Sequence, residues 1–193
     1  MIRAQARNGL SVGATGTVQR NTTDVAEAVE RIASADPDAV VMISAYKSCG
    51  EFIRKAKEAG FDGPFLNVSF VGIKSLAMDL WLDARNVVVS QVVPFPADDS
   101  ISVVKEYNDA LRAAGQQGVV SYGSLEGFIA ANVFVEGLRT AGRALTRETF
   151  LSALEGLGQL DLGGFALEWG PDGHPGSKFV DIAVIGDRNR WLY

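Results

Sequence analysis

The sequence predicts an α/β fold built on a parallel sheet, and two observations carry that prediction. The first is the run Ala39-Val40-Val41-Met42-Ile43, apolar without a break, which stops at Ser44-Ala45-Tyr46 and is followed by a helical pattern. Such a run suits a strand buried on both faces, where a half-wet antiparallel strand would alternate. The second is rhythm. Single strands and single helices alternate at short spacing through the first half of the chain, as βαβ units with right-handed crossovers require.

Taken in order, residues 10–18 read as a strand containing glycines, and 24–34 as a helix. Asp24 and Glu27 have the spacing of a capping box, and Val25, Val29 and Ile32 share one face. Asp36-Pro37-Asp38 turns the chain into the strand at 39–44. Ser48 and Glu51 repeat the capping-box spacing, which opens the next helix near Ser48 and leaves 44–47 as a loop. Phe52, Ile53, Ala56 and Ala59 form its inner face, and Gly60 is its left-handed cap. A strand at 64–69, a short helix at 73–82 and a strand at 86–93 complete the alternation.

At Pro94-Phe95-Pro96 that rhythm stops. Two prolines flanking an aromatic make a stiff extended joint, a hinge or domain crossover. Helices follow at 100–114, 124–141 and 146–156. Two strands, 165–169 and 178–185, are then joined by the turn at Pro171-Asp172-Gly173, and 188–193 adds a last short strand. Residues 1–8 look like the end of a polar helix running into Asn8-Gly9. Two readings fit that beginning: a short frayed helix, or a chain that starts inside a larger fold.

Composition sets the bounds. With 193 residues, 47% of them hydrophobic, the chain can bury a substantial core in one or two domains. A net charge of -5 argues against a nucleic-acid binder, which presents a basic face. A single cysteine, Cys49, excludes an internal disulfide. The first residues hold no apolar core of signal-peptide length, so an exported parent is expected to carry a leader ahead of them. No run approaches membrane-spanning length.

The chemistry-bearing motifs are few. There is no phosphate-cradling P-loop, and Gly13-Ala14-Thr15-Gly16 lacks the three-glycine turn of a dinucleotide site, so no cofactor is expected. His174, in Gly173-His174-Pro175-Gly176, reads as an exposed turn residue rather than a metal ligand or triad member, and no metal is expected. Cys49 follows an apolar strand with no histidine near it, which favours a packed thiol over a reactive one.

The loop at Ser44, Ala45, Tyr46 and Lys47 sits at the carboxyl end of a strand, where open α/β sheets hold their ligands. It offers hydroxyls, an aromatic and a flexible cation but no acid–base pair, equipment for gripping a molecule rather than transforming it. Ser69-Phe70-Val71-Gly72 occupies the equivalent place after the next strand. Neighbouring parallel strands would bring Ser44, Ala45 and Tyr46 beside Ser69 and Phe70. Hydroxyls and helix N-termini suit an anionic or zwitterionic ligand, with Tyr46 and Phe70 as apolar walls or, alternatively, as the edge of the core. Tyr122, in Ser121-Tyr122-Gly123-Ser124, is a further site candidate with a core role as its alternative. It precedes a helix that turns Leu125, Phe128, Ile129 and Val133 inward. Of the sequons at Asn21 and Asn67, the second lies in a buried strand.

Several stretches form a pattern in order and spacing. They are Thr22-Thr23-Asp24-Val25, Pro37-Asp38-Ala39-Val40-Val41, Ala56-Lys57-Glu58-Ala59-Gly60-Phe61, Ser121-Tyr122-Gly123 and Gly170-Pro171-Asp172-Gly173-His174. In these the chain resembles the type I periplasmic solute-binding proteins of ABC transporters, the branched-chain amino acid (Leu/Ile/Val) binding family. The resemblance implies two α/β lobes joined by hinge strands and closing on a ligand like a Venus flytrap. Residues 1–94 would be the parallel-sheet second lobe without its first strand, 95–170 a portion of the first lobe, and 171–193 the return to the second lobe and hinge. It further implies non-enzymatic binding of a small, amino-acid-like solute for a membrane permease, in the periplasm.

The chain departs from that pattern twice. The family's members are nearly twice as long, so the resemblance leads one to expect a truncated form or fragment. The family's aromatic falls at Ala45 or Tyr46, but the place of its acidic residue, which holds a ligand ammonium, is Ser69. A ligand-sensing domain with a signalling partner is the alternative function, and an α/β enzyme is disfavoured for want of a nucleophile or acid–base pair at the strand ends. A sheet without its first strand exposes backbone and apolar surface. The helices of 100–141 should likewise leave part of Val103, Val104, Tyr107, Leu111, Phe128 and Ile129 unburied. The expected consequence is a homodimer through those surfaces, or a place in a longer polypeptide.

Overall fold

A computed structural model describes residues 8–169, 176–186 and 191–192. In chain order its elements are α1 (Ala26–Ala33), β1 (Val40–Met42), α2 (Tyr46–Glu58), β2 (Phe65–Asn67), α3 (Ile73–Leu80), β3 (Val87–Gln91), α4 (Ser102–Ala113), α5 (Tyr122–Ala141), α6 (Arg147–Gly156), β4 (Gln159–Asp161), β5 (Ala166–Glu168), β6 (Asp181–Ile185) and β7 (Trp191–Leu192). Short 3-10 turns lie at Ser69–Val71, Trp81–Ala84 and Gln117–Val119. Two compact units emerge, one from Met1–Ser90 with Ile182–Tyr193, the other from Gln91–Asp181.

The first unit holds a five-stranded sheet in the order β1-β2-β3-β6-β7. β1, β2 and β3 run parallel, with Val40 opposite Phe65, Phe65 opposite Val87, and Met42 opposite Asn67; β7 pairs antiparallel with β6. Three strands laid side by side in sequence order, with right-handed crossovers, must carry their connecting helices on one face. α1 packs against α2 and α2 against α3, so all three helices form a single layer. On the sheet Val40, Met42, Phe65, Val87, Val89, Ala183 and Ile185 are buried, and so are Val25, Ile53 and Leu76 of the helical segments. Each large side chain buried there contributes about 1.5–3 kcal/mol.

The helix starts differ from expectation. α2 begins at Tyr46, because Ala45 is extended and its carbonyl already accepts the Cys49 N–H at 3.0 Å. Ser48 is not its cap. The Ser48 hydroxyl donates to the Thr22 carbonyl at 2.6 Å, a tertiary bond that takes the group a cap would need. Asp24 is likewise no cap; α1 starts at Ala26 after Val25, with no side-chain bond at its N-terminus. Ala59, expected inward, is exposed, while Gly60 does take the left-handed conformation at φ 94°. The helix expected at 73–82 ends at Leu80 and continues as the 3-10 turn.

Residues 10–18 do not form the expected strand. A strand persists only where a neighbour takes its hydrogen bonds, and among the described residues none pairs with them. Leu10 and Val12 lie exposed, and Gly16 packs on Ala28, where a Cβ would approach to 2.9 Å.

The second unit packs α5 against α4 and α6. Ser121 caps α5 by accepting the Ser124 N–H at 3.2 Å, and Thr146 and Thr149 form a capping box on α6. Of the helix-face residues expected to be left partly unburied, four are covered and two are not fully so. Val103, Val104, Tyr107 and Ile129 are buried, and Leu111 and Phe128 half-buried. Phe134, Val135 and Leu151 on the helices, and Leu145 in the loop between α5 and α6, are among the exposed apolar residues of this unit.

The two expected tail strands are present as β5 and β6, and Glu168 pairs antiparallel with Gly176 through two 3.1 Å backbone hydrogen bonds, but β5 and β6 are assigned to different sheets. β5 pairs antiparallel with β4, a strand not expected from the sequence, while β6 joins the first unit's sheet. Gly163 and Gly164, at φ 79° and 89°, supply the turn that lets the Leu162 N–H reach the Phe165 carbonyl at 3.0 Å. The expected turn at Pro171-Asp172-Gly173, His174 and the stretch before Asn8 lie outside the described residues.

Candidate functional site

The carboxyl ends of β1 and β2 are level, because Met42 stands opposite Asn67 in a parallel ladder. Two residues past each strand come Ser44 and Ser69, so Ser44, Ala45 and Tyr46 share one end of the sheet with Ser69 and Phe70. Tyr46 opens α2 instead of lying in the loop, and Ser69 and Phe70 begin the 3-10 turn that leads into α3. The link from turn to helix is Gly72, at φ 71°, a conformation that side-chain-bearing residues rarely adopt. Ser44, Tyr46 and Ser69 are half-buried, Ala45 is exposed, and Phe70 is 68% exposed, a large aromatic standing in water.

Neither α2 nor α3 has a side-chain cap or an acidic residue in its first turn. The positive ends of their dipoles therefore face this end of the sheet without a carboxylate against them, a field that favours an anionic group. Lys47, exposed in the first turn of α2, adds to that field.

The start of α2 is held in place by neighbours. Besides the Ser48 bond to Thr22, Arg54 donates to the Asp79 carboxylate at 2.9 Å and to Glu51 at 3.1 Å, tying α2 to α3. Gly50 makes room for that clamp, since a Cβ there would strike the Asp79 carboxylate. Cys49 is buried, and burial pushes its thiol up to about 11 against a smaller opposing contact with the Ser44 backbone. Such a thiol is packing, not a nucleophile.

Tyr122 belongs to the second unit. It is buried at the head of α5, its ring centroid 6.4 Å from that of Phe95. The neighbouring hydroxyls are used locally: Tyr107 and Ser124 share a 2.5 Å hydrogen bond, and the Ser121 N–H donates to the Tyr107 hydroxyl at 3.2 Å.

Two buried amides, Asn67, met in the sequence only as a sequon, and Gln91, close their strands. Asn67 Oδ1, at the end of β2, and Gln91 Nε2, at the end of β3, have no hydrogen-bond partner. The signal was an amide closing an otherwise apolar strand. An open groove of about 530 Å³ lies between α1 and the last turns of α2, lined by Val29, Glu30, Lys55 and Glu58. It is at the far end of α2 from the strand-end rim and brings no hydroxyl–aromatic set together.

A family model described as periplasmic binding protein matches residues 2–188. Among solved structures, the chain is similar to a possible leucine/isoleucine/valine-binding protein from Rhodopirellula baltica SH 1, at 34% identity and a TM-score of 0.89, covering 99% of this chain and 54% of that one. A substrate-binding periplasmic protein from Ralstonia solanacearum is 28% identical at a TM-score of 0.88, over 99% of this chain and 55% of its own. A branched-chain amino acid ABC transporter from Thermus thermophilus with bound valine, at 18% identity and a TM-score of 0.80 over 98% and 53% of the two chains, shows the shared fold. The chain spans about half the length of these solved proteins. Comparison with curated proteins finds no match. With parallel strands, a helical layer on the sheet and a family match over most of its length, the chain belongs to the periplasmic binding protein family.

Proposed function

We propose that this chain binds a small organic solute, without transforming it, for delivery to an ABC importer. Its contribution to the ligand site is Ser44, Ala45, Tyr46, Ser69 and Phe70. The observation that carries this reading is the level ending of β1 and β2, which gathers two hydroxyls, two aromatics and two uncapped helix starts at one end of the sheet. Tyr122 is left outside the contacting set, because its ring is packed into the second unit's core. In this reading the first unit is a C-terminal lobe without its first strand, the second a portion of the N-terminal lobe, and the chain a truncated form or fragment acting in the periplasm.

The solved relatives include a possible leucine/isoleucine/valine-binding protein and a branched-chain amino acid transporter holding valine, but Ser69 supplies a hydroxyl where the resemblance leads one to expect a charge. The rim therefore suits the carboxylate end and apolar body of a solute and makes no demand for an ammonium group. Thermal-shift measurements with L-leucine, L-valine and their 2-oxo acids test this. The expected result is a saturable rise in Tm with at least one of the four, and with the 2-oxo acid no weaker than its amino acid. No shift with any of them, or consumption of a compound that does bind, would overturn the reading.

A further inference from the structure

Asn67 closes β2 at a position where an apolar residue would serve the fold. Its side chain is 4% exposed and lies on the same face as Phe65, two residues back along the strand. Its Nδ2 donates to the Phe65 carbonyl at 3.4 Å and to the Val88 carbonyl at 3.5 Å, both at the long limit of a hydrogen bond. Its Oδ1 accepts from nothing among the described residues. A buried acceptor without a donor is a cost to the folded chain, and keeping it there calls for a use.

That use lies two residues further on. Ser69 opens the turn at the rim, half-buried, and among the described residues no hydrogen bond claims its hydroxyl. A serine hydroxyl has one hydrogen and two lone pairs, so the group that takes the hydrogen decides where the lone pairs face. Asparagine side chains readily bond groups two residues along the chain, and the two long Nδ2 bonds hold this amide loosely enough to turn. We propose that Asn67 is a positioning residue of the solute site: its Oδ1 takes the Ser69 hydrogen and leaves Ser69 facing the solute as an acceptor. This role rests on the solute reading above and narrows the class of ligand, because the solute must then bring a donor beside its carboxylate. A neutral hydroxyl fits better than an ammonium, since the uncapped start of α2 and the exposed Lys47 make this end of the sheet positive. The class that meets both conditions is a 2-hydroxy acid with an apolar body.

Titration calorimetry with the 2-hydroxy acid and the 2-oxo acid of the leucine skeleton tests it, because the two differ only beside the carboxylate. Wild type should bind the hydroxy acid more than about tenfold tighter, the worth of one hydrogen bond in a shielded site. Asn67→Leu, close in shape but without an acceptor, should bring the two affinities level, and so should Ser69→Ala. The double variant should add nothing further, because the two residues act as one unit. An asparagine with a purely structural role would leave the preference between the acids where it was, whatever its loss did to the melt. Should Asn67→Leu fail to fold, Ser69→Ala decides alone: a hydroxyl that merely donates to the carboxylate would, when removed, weaken both acids together and spare the preference. Equal binding of the two acids by wild type overturns the proposal and leaves the solute reading standing, as does a preference that survives either variant. Binding of neither acid nor of leucine or valine overturns the solute reading itself, and this role with it.

Discussion

Phe65 and Leu66 are consecutive residues of one strand, both large and apolar, yet they occupy different surroundings. Phe65 points under the helices and is fully buried, and its ring stacks edge-on against Phe61 at 5.1 Å. Leu66 points to the bare face and is half-buried. The same contrast runs across the sheet, Met42 against Val41 and Val89 against Val88. The lesson is that an apolar run announces a strand fit for burial on both sides, but the topology of its connections decides which side is covered.

That contrast can be broken by mutation. Phe65→Ala should cost about 3–5 kcal/mol in urea unfolding, the range for truncating a close-packed aromatic. Ser48→Ala, on the covered side, leaves the Thr22 carbonyl without the hydroxyl it bonds at 2.6 Å and should cost about 1–2 kcal/mol. Leu66→Ala should cost clearly less than Phe65→Ala, because Leu66 keeps part of its surface in water while Phe65 keeps none. Equal costs at 65 and 66 would show that the bare face is covered after all.

The smallest effect at neutral pH concerns Cys49, whose thiol is raised from 9.0 to about 11. The folded state disfavours the thiolate, so the associated stability is complete below pH 9 and is lost as pH rises from 9 towards 11. Wild type should therefore lose Tm over that window relative to Cys49→Ala. At pH 8 its thiol should react with a disulfide reagent about 100-fold more slowly than in urea. A native thiol that labels as fast as the unfolded one would place Cys49 in an open environment.

Much of the first unit was legible because its signals are local and repeated. The apolar run at Val40-Val41-Met42, the spacing of Phe52, Ile53 and Ala56, and the left-handed Gly60 each report on their own few residues. Caps were less legible. Ser48 has the spacing of a cap, but its hydroxyl is claimed by Thr22, far away in sequence, and only the folded chain shows that competitor. Residues 10–18 have a strand's composition but not the neighbour that makes a strand. The hairpin of β4 and β5 did leave a sign, the Gly163-Gly164 pair between Leu160 and Leu167, which the stronger turn motif at Pro171-Asp172-Gly173 overshadowed. In the candidate site, Ser44, Tyr46, Ser69 and Phe70 could be placed from strand ends alone. Tyr122 could not, since its packing against Phe95 depends on how the second unit folds.

The claim that the rim beyond β1 and β2 holds the solute is tested most directly at Tyr46. The measurement is titration calorimetry of wild type and Tyr46→Ala with the solute that gives the largest thermal shift. Loss of the ring should weaken binding more than about tenfold, roughly 1.4 kcal/mol, with the unliganded melt little changed. An unchanged affinity would contradict the account and return Tyr46 to the edge of the core.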